Sequence, residues 1–161
     1  MLLAPTFCDA DWAGDSSDRR SITGYIMKIN GATVSWSSKK QTTVSLSSAE
    51  AEYMAAGAAT QEILWLRALL SELGWPQESP TVLQCDNQAA IAIAAEDIHH
   101  ARTKHIDIRH HFIRSHVAAG ALRLQWVPTA DQEADILTKP LGRLAFAKLR
   151  DRILGGAQAR Q

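Results

Sequence analysis

The stretch Ser45-Leu46-Ser47-Ser48-Ala49-Glu50-Ala51-Glu52-Tyr53-Met54-Ala55-Ala56 constrains this chain more than any other, because it opens a long helix in a defined phase. Ser47 with Glu50 three residues later has the spacing of a capping box, in which each side chain satisfies a free backbone N–H. Helical periodicity runs on to Leu73, and Gly74 stands where a C-cap belongs. At about 100° per residue, Glu52, Ala55, Ala59, Ile63, Leu66, Leu70 and Leu73 share one stripe, with Glu50 on the far side. The phase gives Glu50 a capping role in solvent and turns Glu52 toward whatever the stripe covers. A carboxylate facing a core is costly unless it is paired or metal-bound. The plain alternative is a rim position near the positive helix N-terminus. The rest of the chain decides between them.

Ahead of the helix, 4–10 reads as a short strand carrying Asp9, and Ser21 to Asn30 as a second. Asn30-Gly31 is a hairpin signal leading into a third strand, Ala32 to Ser37. Three strands joined this tightly form an antiparallel meander. After the helix, Thr81 to Asp86 is a fourth strand whose alternation sets Val82, Gln84 and Asp86 apart from Leu83 and Cys85. A short alanine-rich helix follows from Asn87 to Ala95, then a basic helix from Ala101 to Ala119. Leu122 to Val127 makes a fifth strand, and Gly142 to Leu154 a final basic amphipathic helix. Between these two, Thr129 and Gln132 again show capping-box spacing and predict a helix bearing Asp131, Glu133 and Asp135. The order β-β-β-α-β-α-(α)-β-α, with the basic amphipathic helix after it, gives an α/β fold: a five-stranded mixed sheet, meander first and parallel strands after, flanked by helices.

Among 161 residues, 46% hydrophobic and 21% charged, one domain with a sizeable core is expected, over 1–154, with a flexible tail over 155–161. No apolar run approaches the ~18 residues of a membrane span, and no basic-then-apolar signal pattern opens the chain. An intracellular protein without a membrane partner is expected. Net charge is zero, yet residues 1–98 carry six Lys/Arg against twelve Asp/Glu, and 99–161 carry eleven against five. That asymmetry fits an acidic metal-binding centre beside a polyanion surface, or simple attraction between the halves. Cys8 and Cys85 lack CxxC spacing and are expected to act as small buried residues. Six histidines fall between His99 and His116. The pairs His105/His110 and His111/His116 are five apart, so neither shares a helix face for metal binding. Asp9, Glu52, Asp86 and Asp135, dispersed over four elements, instead suggest a carboxylate cluster for a hard cation such as Mg²⁺.

At these residues the chain resembles the RNase H domain of Ty1/copia-class long-terminal-repeat retrotransposon polyproteins. The resemblance rests on Asp9-Ala10-Asp11-Trp12-Ala13-Gly14-Asp15, Ser21-Ile22-Thr23-Gly24-Tyr25 and Val34-Ser35-Trp36-Ser37-Ser38-Lys39-Lys40-Gln41. It continues through Leu46 to Ala55, Cys85-Asp86-Asn87-Gln88-Ala89-Ala90-Ile91, the run from Arg102 to Phe112, Val127-Pro128-Thr129 and Asp135-Ile136-Leu137-Thr138-Lys139-Pro140. It implies an RNase H-like fold and a catalytic, metal-binding quartet of Asp9, Glu52, Asp86 and Asp135. Asp9 would bridge two Mg²⁺ ions, replaceable by Mn²⁺, with Glu52 and Asp86 on one ion and Asp135 on the other. Two ions about 4 Å apart would activate the attacking water and stabilise the leaving 3′-oxygen.

The implied substrate is the RNA strand of an RNA/DNA hybrid, hydrolysed during reverse transcription, with Ser48 and Gln88 at minor-groove contact positions. The implied partner is an upstream reverse transcriptase domain, and the implied location the cytoplasm, in a retroelement particle, or the nucleus. One departure stands out: cellular members carry a histidine in the loop before the last aspartate, and none lies among Pro128 to Ala134. Two rivals remain on sequence grounds. One is a non-catalytic hybrid-binding or scaffold domain of a decayed or domesticated element, which loss of a quartet member would favour. The other is an integrase- or resolvase-like core, against which the early placement of Glu52 argues.

Overall fold

The structure, a computed structural model, describes residues 2–14, 16–95 and 104–155, with side chains described except at 95 and 104–110. Its strands are β1 (Thr6–Asp11), β2 (Ile22–Ile29), β3 (Ala32–Lys40), β4 (Thr81–Cys85) and β5 (Leu122–Trp126). Its helices are α1 (Ser48–Glu72), α2 (Gln88–Ala95), α3 (Lys104–Ala118) and α4 (Arg143–Ile153). The sheet order is β3-β2-β1-β4-β5, antiparallel across the first three strands and parallel from β1 through β4 to β5. This is the architecture expected from the sequence. The expected beginning of α3 at Ala101 and the tail beyond Gly155 lie outside the described residues, as do the side chains of His99, His100, His105 and His110.

The β2–β3 turn is Asn30-Gly31, with φ of 50° and 85°, the left-handed pair that a two-residue hairpin favours. β3 runs further than its apolar alternation predicts, because Lys39 and Lys40 still pair with Thr23 and Ile22. It is an edge strand, held by one ladder and largely wet, so its polar residues leave no periodic signal.

α1 begins as expected. Ser47 Oγ accepts from Glu50 N at 3.1 Å, while Glu50 Oε2 accepts from Leu46 N at 2.8 Å, one residue earlier than a strict capping box places it. It ends in a Schellman arrangement, with Trp75 N donating to Leu70 O at 2.8 Å, Gly74 N to Ser71 O at 3.0 Å, and Gly74 at φ 86°. The stripe from Glu52 through Leu70 is buried, but Leu73 is exposed, since it is the capping residue where the chain turns away. Ala51, Ala55, Ala56 and Ala59 let α1 lie close to the sheet, forming one core with Cys8, Ala10, Met27, Leu83 and Cys85. Among the described residues no helix is long and apolar enough to cross a membrane.

The helix expected from Thr129 onward is not formed, and this corrects the sequence reading. Two 3-10 turns, Thr129–Asp131 and Glu133–Leu137, take its place, broken by Gln132 at ψ 100°. Tertiary hydrogen bonds outcompete the local ones. Buried Gln132 donates from Nε2 to Cys8 O at 2.9 Å, and Thr129 Oγ1 donates to Asp86 Oδ2 at 2.7 Å instead of capping. A buried ion pair, Lys28 Nζ to Glu133 Oε2 at 2.5 Å, ties the second turn to the sheet. Lys148 and Arg152 pair with Asp131 at 3.1 and 2.9 Å, so part of the basic half is engaged within the fold.

Gly24 makes the close approach of this segment possible. A Cβ there would lie 2.7 Å from Thr138 Cγ2, 3.0 Å from Leu137 Cβ and 3.1 Å from the Ala134 carbonyl oxygen. A glycine inside a strand commonly marks such an approach. Gly24→Ala is therefore expected to cost about 1–3 kcal/mol, read as a lower melting temperature. A melting temperature matching wild type would show that the turns shift freely.

Candidate metal centre

β1 and β4 run parallel with Thr6 opposite Leu83 and Phe7 opposite Gln84. The same offset sets Asp9, inside β1, beside Asp86, the residue just past the end of β4. Asp135 arrives from the second 3-10 turn, against the sheet face opposite α1. One ligand oxygen from each of Asp9, Asp86 and Asp135 lies within 4.8 Å of the others. Glu52 falls outside that set. It is buried at the start of α1, with Oε2 3.9 Å from Cys85 Sγ.

Electrostatics nevertheless join Glu52 to the cluster. Burial, then the charges of Asp9, Cys85 and Asp86, push its carboxyl up to about 10. Asp135 rises to about 7, chiefly through burial and with Asp9 adding to it, although Lys139 pulls the other way. The Lys139 ammonium lies 2.8 Å from Asp135 Oδ1. Burial alone would lower its pKa, but Asp135, Asp9 and Asp86 outweigh that and raise it. So many carboxylates in one place call for positive charge, and a lysine already answers part of the call.

The sequence assigns none of the side chains that hold these acids to the acids themselves. Thr138 Oγ1 donates to Asp9 Oδ2, Thr129 Oγ1 to Asp86 Oδ2, and Lys139 pairs with Asp135. All three lie in the motifs that carry the family resemblance, where the spacing of Thr129 predicts only a helix cap. Trp126 Nε1 also donates to the Asp86 carbonyl at 3.3 Å. Ser48 and Gln88 are exposed at the first positions of α1 and α2. His116 packs edge-on against Phe112 at 4.8 Å, an aromatic contact. Cys8 and Cys85 are free and fully buried as expected, although Cys85 touches Glu52 rather than apolar atoms alone.

The fold aligns with an RNase H1, LC11, solved in complex with an RNA/DNA hybrid, at a TM-score of 0.59 and 12% identity over 83% of this chain and 92% of that one. No family model matches the chain. By sequence it is 47% and 48% identical, each over 152 residues and 94% of its length, to the retrovirus-related Pol polyproteins from transposons RE2 and RE1 of Arabidopsis thaliana. It belongs to the copia-type Pol polyproteins, as an RNase H-like domain. This copia-type domain spans about 10% of the length of those relatives. The acidic motifs quoted above therefore sit in an RNase H-like fold that brings three of their four carboxylates together.

Proposed function

We propose that this domain is a divalent-cation-dependent endoribonuclease that hydrolyses the RNA strand of RNA/DNA hybrids during reverse transcription. The observation that carries the reading is the convergence of Asp9, Asp86 and Asp135 within 4.8 Å, with buried Glu52 coupled to them electrostatically. The donor set fits a hard cation: every ligand is a carboxylate oxygen, and the raised Glu52 and Asp135 record unmet demand for positive charge. Asp9, Glu52, Asp86 and Asp135 would hold Mg²⁺, with Mn²⁺ as a substitute. Bound there, a pair of such cations supplies an activated water and charge neutralisation at the scissile phosphate.

The chain's own residues prepare that chemistry. The parallel register of β1 and β4 holds Asp9 and Asp86 side by side, and the 3-10 turn brings Asp135 to them. Glu52 would complete the set from the α1 side, ionising once positive charge is present. Ser48 and Gln88, exposed on the two helix starts, would meet the hybrid's minor groove. A reverse transcriptase domain of the same polyprotein would deliver the hybrid, in a cytoplasmic particle or in the nucleus.

The test is incubation of the purified domain with labelled hybrid or duplex DNA, in Mg²⁺, Mn²⁺ or EDTA. The RNA strand of the hybrid is expected to be cut with either cation, and duplex DNA left intact. Undiminished cutting in EDTA, or equal cutting of duplex DNA, overturns the reading. Hybrid binding without cleavage in either cation would make the domain a scaffold instead.

A further inference from the structure

The three clustered aspartates come from three separate parts of the chain, yet each is met by a side chain of one segment, 129–139: a hydrogen bond for Asp9 and Asp86, an ion pair for Asp135. Thr129 Oγ1 donates to Asp86 Oδ2 at 2.7 Å, and Lys139 Nζ stands 2.8 Å from Asp135 Oδ1. Thr138 Oγ1 donates to Asp9 Oδ2 and lies 3.2 Å from the Asp135 carbonyl oxygen. A hydroxyl has one proton, and a carboxylate oxygen is a stronger acceptor than a backbone carbonyl, so Thr138 directs its hydrogen bond to Asp9.

The segment is itself pinned to the sheet. Ser38 Oγ donates to Leu137 O at 2.6 Å, Gln132 Nε2 to Cys8 O at 2.9 Å, and Gly24 leaves room for Thr138 where a Cβ would collide. Thr138 is buried, so its hydroxyl is held in place over Asp9.

We infer that Thr129 and Thr138 are positioning residues that orient the Asp86 and Asp9 carboxylates for cation binding, an inference that rests on the metal reading above. A carboxylate fixed through one oxygen can still offer the other, and fixing it removes the rotational freedom by which crowded like charges would swing apart. A hydroxyl does this without bringing charge of its own. Lys139 differs, since its ammonium competes with a cation for Asp135. Hydrogen bonds behind metal ligands are typically worth 10–100-fold in metal affinity.

The experiment is calorimetric titration of Mg²⁺ into wild type, Thr138→Val, Thr138→Ser and Thr129→Val, each with a melting curve in EDTA to verify folding. Both valine variants are expected to bind Mg²⁺ about 10-fold or more weakly, while serine, which keeps the hydroxyl, restores near wild-type affinity. Wild-type affinity in both valine variants overturns the inference, as does a serine variant as weak as valine. Should Thr138→Val fail to fold, the exposed Thr129 carries the test alone. A wild-type protein that binds neither Mg²⁺ nor Mn²⁺ overturns the metal reading itself, and this inference with it.

Discussion

Asp9→Asn is expected to abolish cleavage of hybrid RNA and, in EDTA, to melt at or above the wild-type temperature. Asparagine is nearly isosteric and its carbonyl still accepts from Thr138, so the local structure survives. What is lost is an anionic ligand at the centre of the cluster. Activity should fall by about 10³-fold or more, the scale on which removing a catalytic group acts. What is gained without metal is relief, because Asp9 is among the charges that raise both Glu52 and Asp135. Each kcal/mol relieved corresponds to roughly 2–4 °C in a domain of this size. Saturating Mg²⁺ should reverse the ranking. A ligand at a hundred times its dissociation constant stabilises by about 2.7 kcal/mol, and the mutant, lacking its central ligand, receives less of this. Paired melts with EDTA and with Mg²⁺ read both effects. A mutant that melts clearly lower in EDTA would make Asp9 a structural residue and remove the central member of the site.

The second large effect separates two glutamates two residues apart. Glu52→Gln should lose most activity, since a neutral amide is a poor ligand for a hard cation. Glu50→Gln should keep most of it, because glutamine can still accept from the Leu46 N–H that Glu50 holds at 2.8 Å. The reverse ranking would place the wrong glutamate at the site. Stability adds a second readout with a definite sign. Glu52 is raised from 4.5 to about 10 by folding, so above its unfolded value the native state holds the extra proton. Stability of the metal-free protein therefore falls as pH climbs from about 4.5 toward about 10. Asp135, raised from 3.8 to about 7, steepens the lower part of that fall. Glu52→Gln removes the proton-binding group and should flatten the alkaline side of the curve in EDTA. Melts at pH 5, 7 and 9 measure the slope, and an unchanged slope would mean Glu52 is not the group responsible.

The sequence by itself determined the order of the five strands and of α1 to α4, the α1 cap and phase, and the hairpin turn. Each is a local property. Ser47 and Glu50 cap within one turn, Asn30-Gly31 supplies both left-handed residues, and Glu52 lies on an apolar stripe that only a core requires. The resemblance in motifs pointed the same way, and nearly half identity to copia-type polyproteins agrees with it. The length of β3, the fate of Leu73 and the shape of 129–139 were decided only in three dimensions. β3 continues because β2 is beside it, and Leu73 is exposed because the helix has already ended. The last case matters most for the site. Thr129 and Gln132 had the spacing to start a helix, but Asp86 and the Cys8 carbonyl offered those side chains partners from distant parts of the chain. A sequence window contains the local competitor for a hydrogen bond and not the tertiary one. The helix was therefore legible and wrong, while the threonines that hold the carboxylates became visible only once the strands, the turn and Gly24 were assembled.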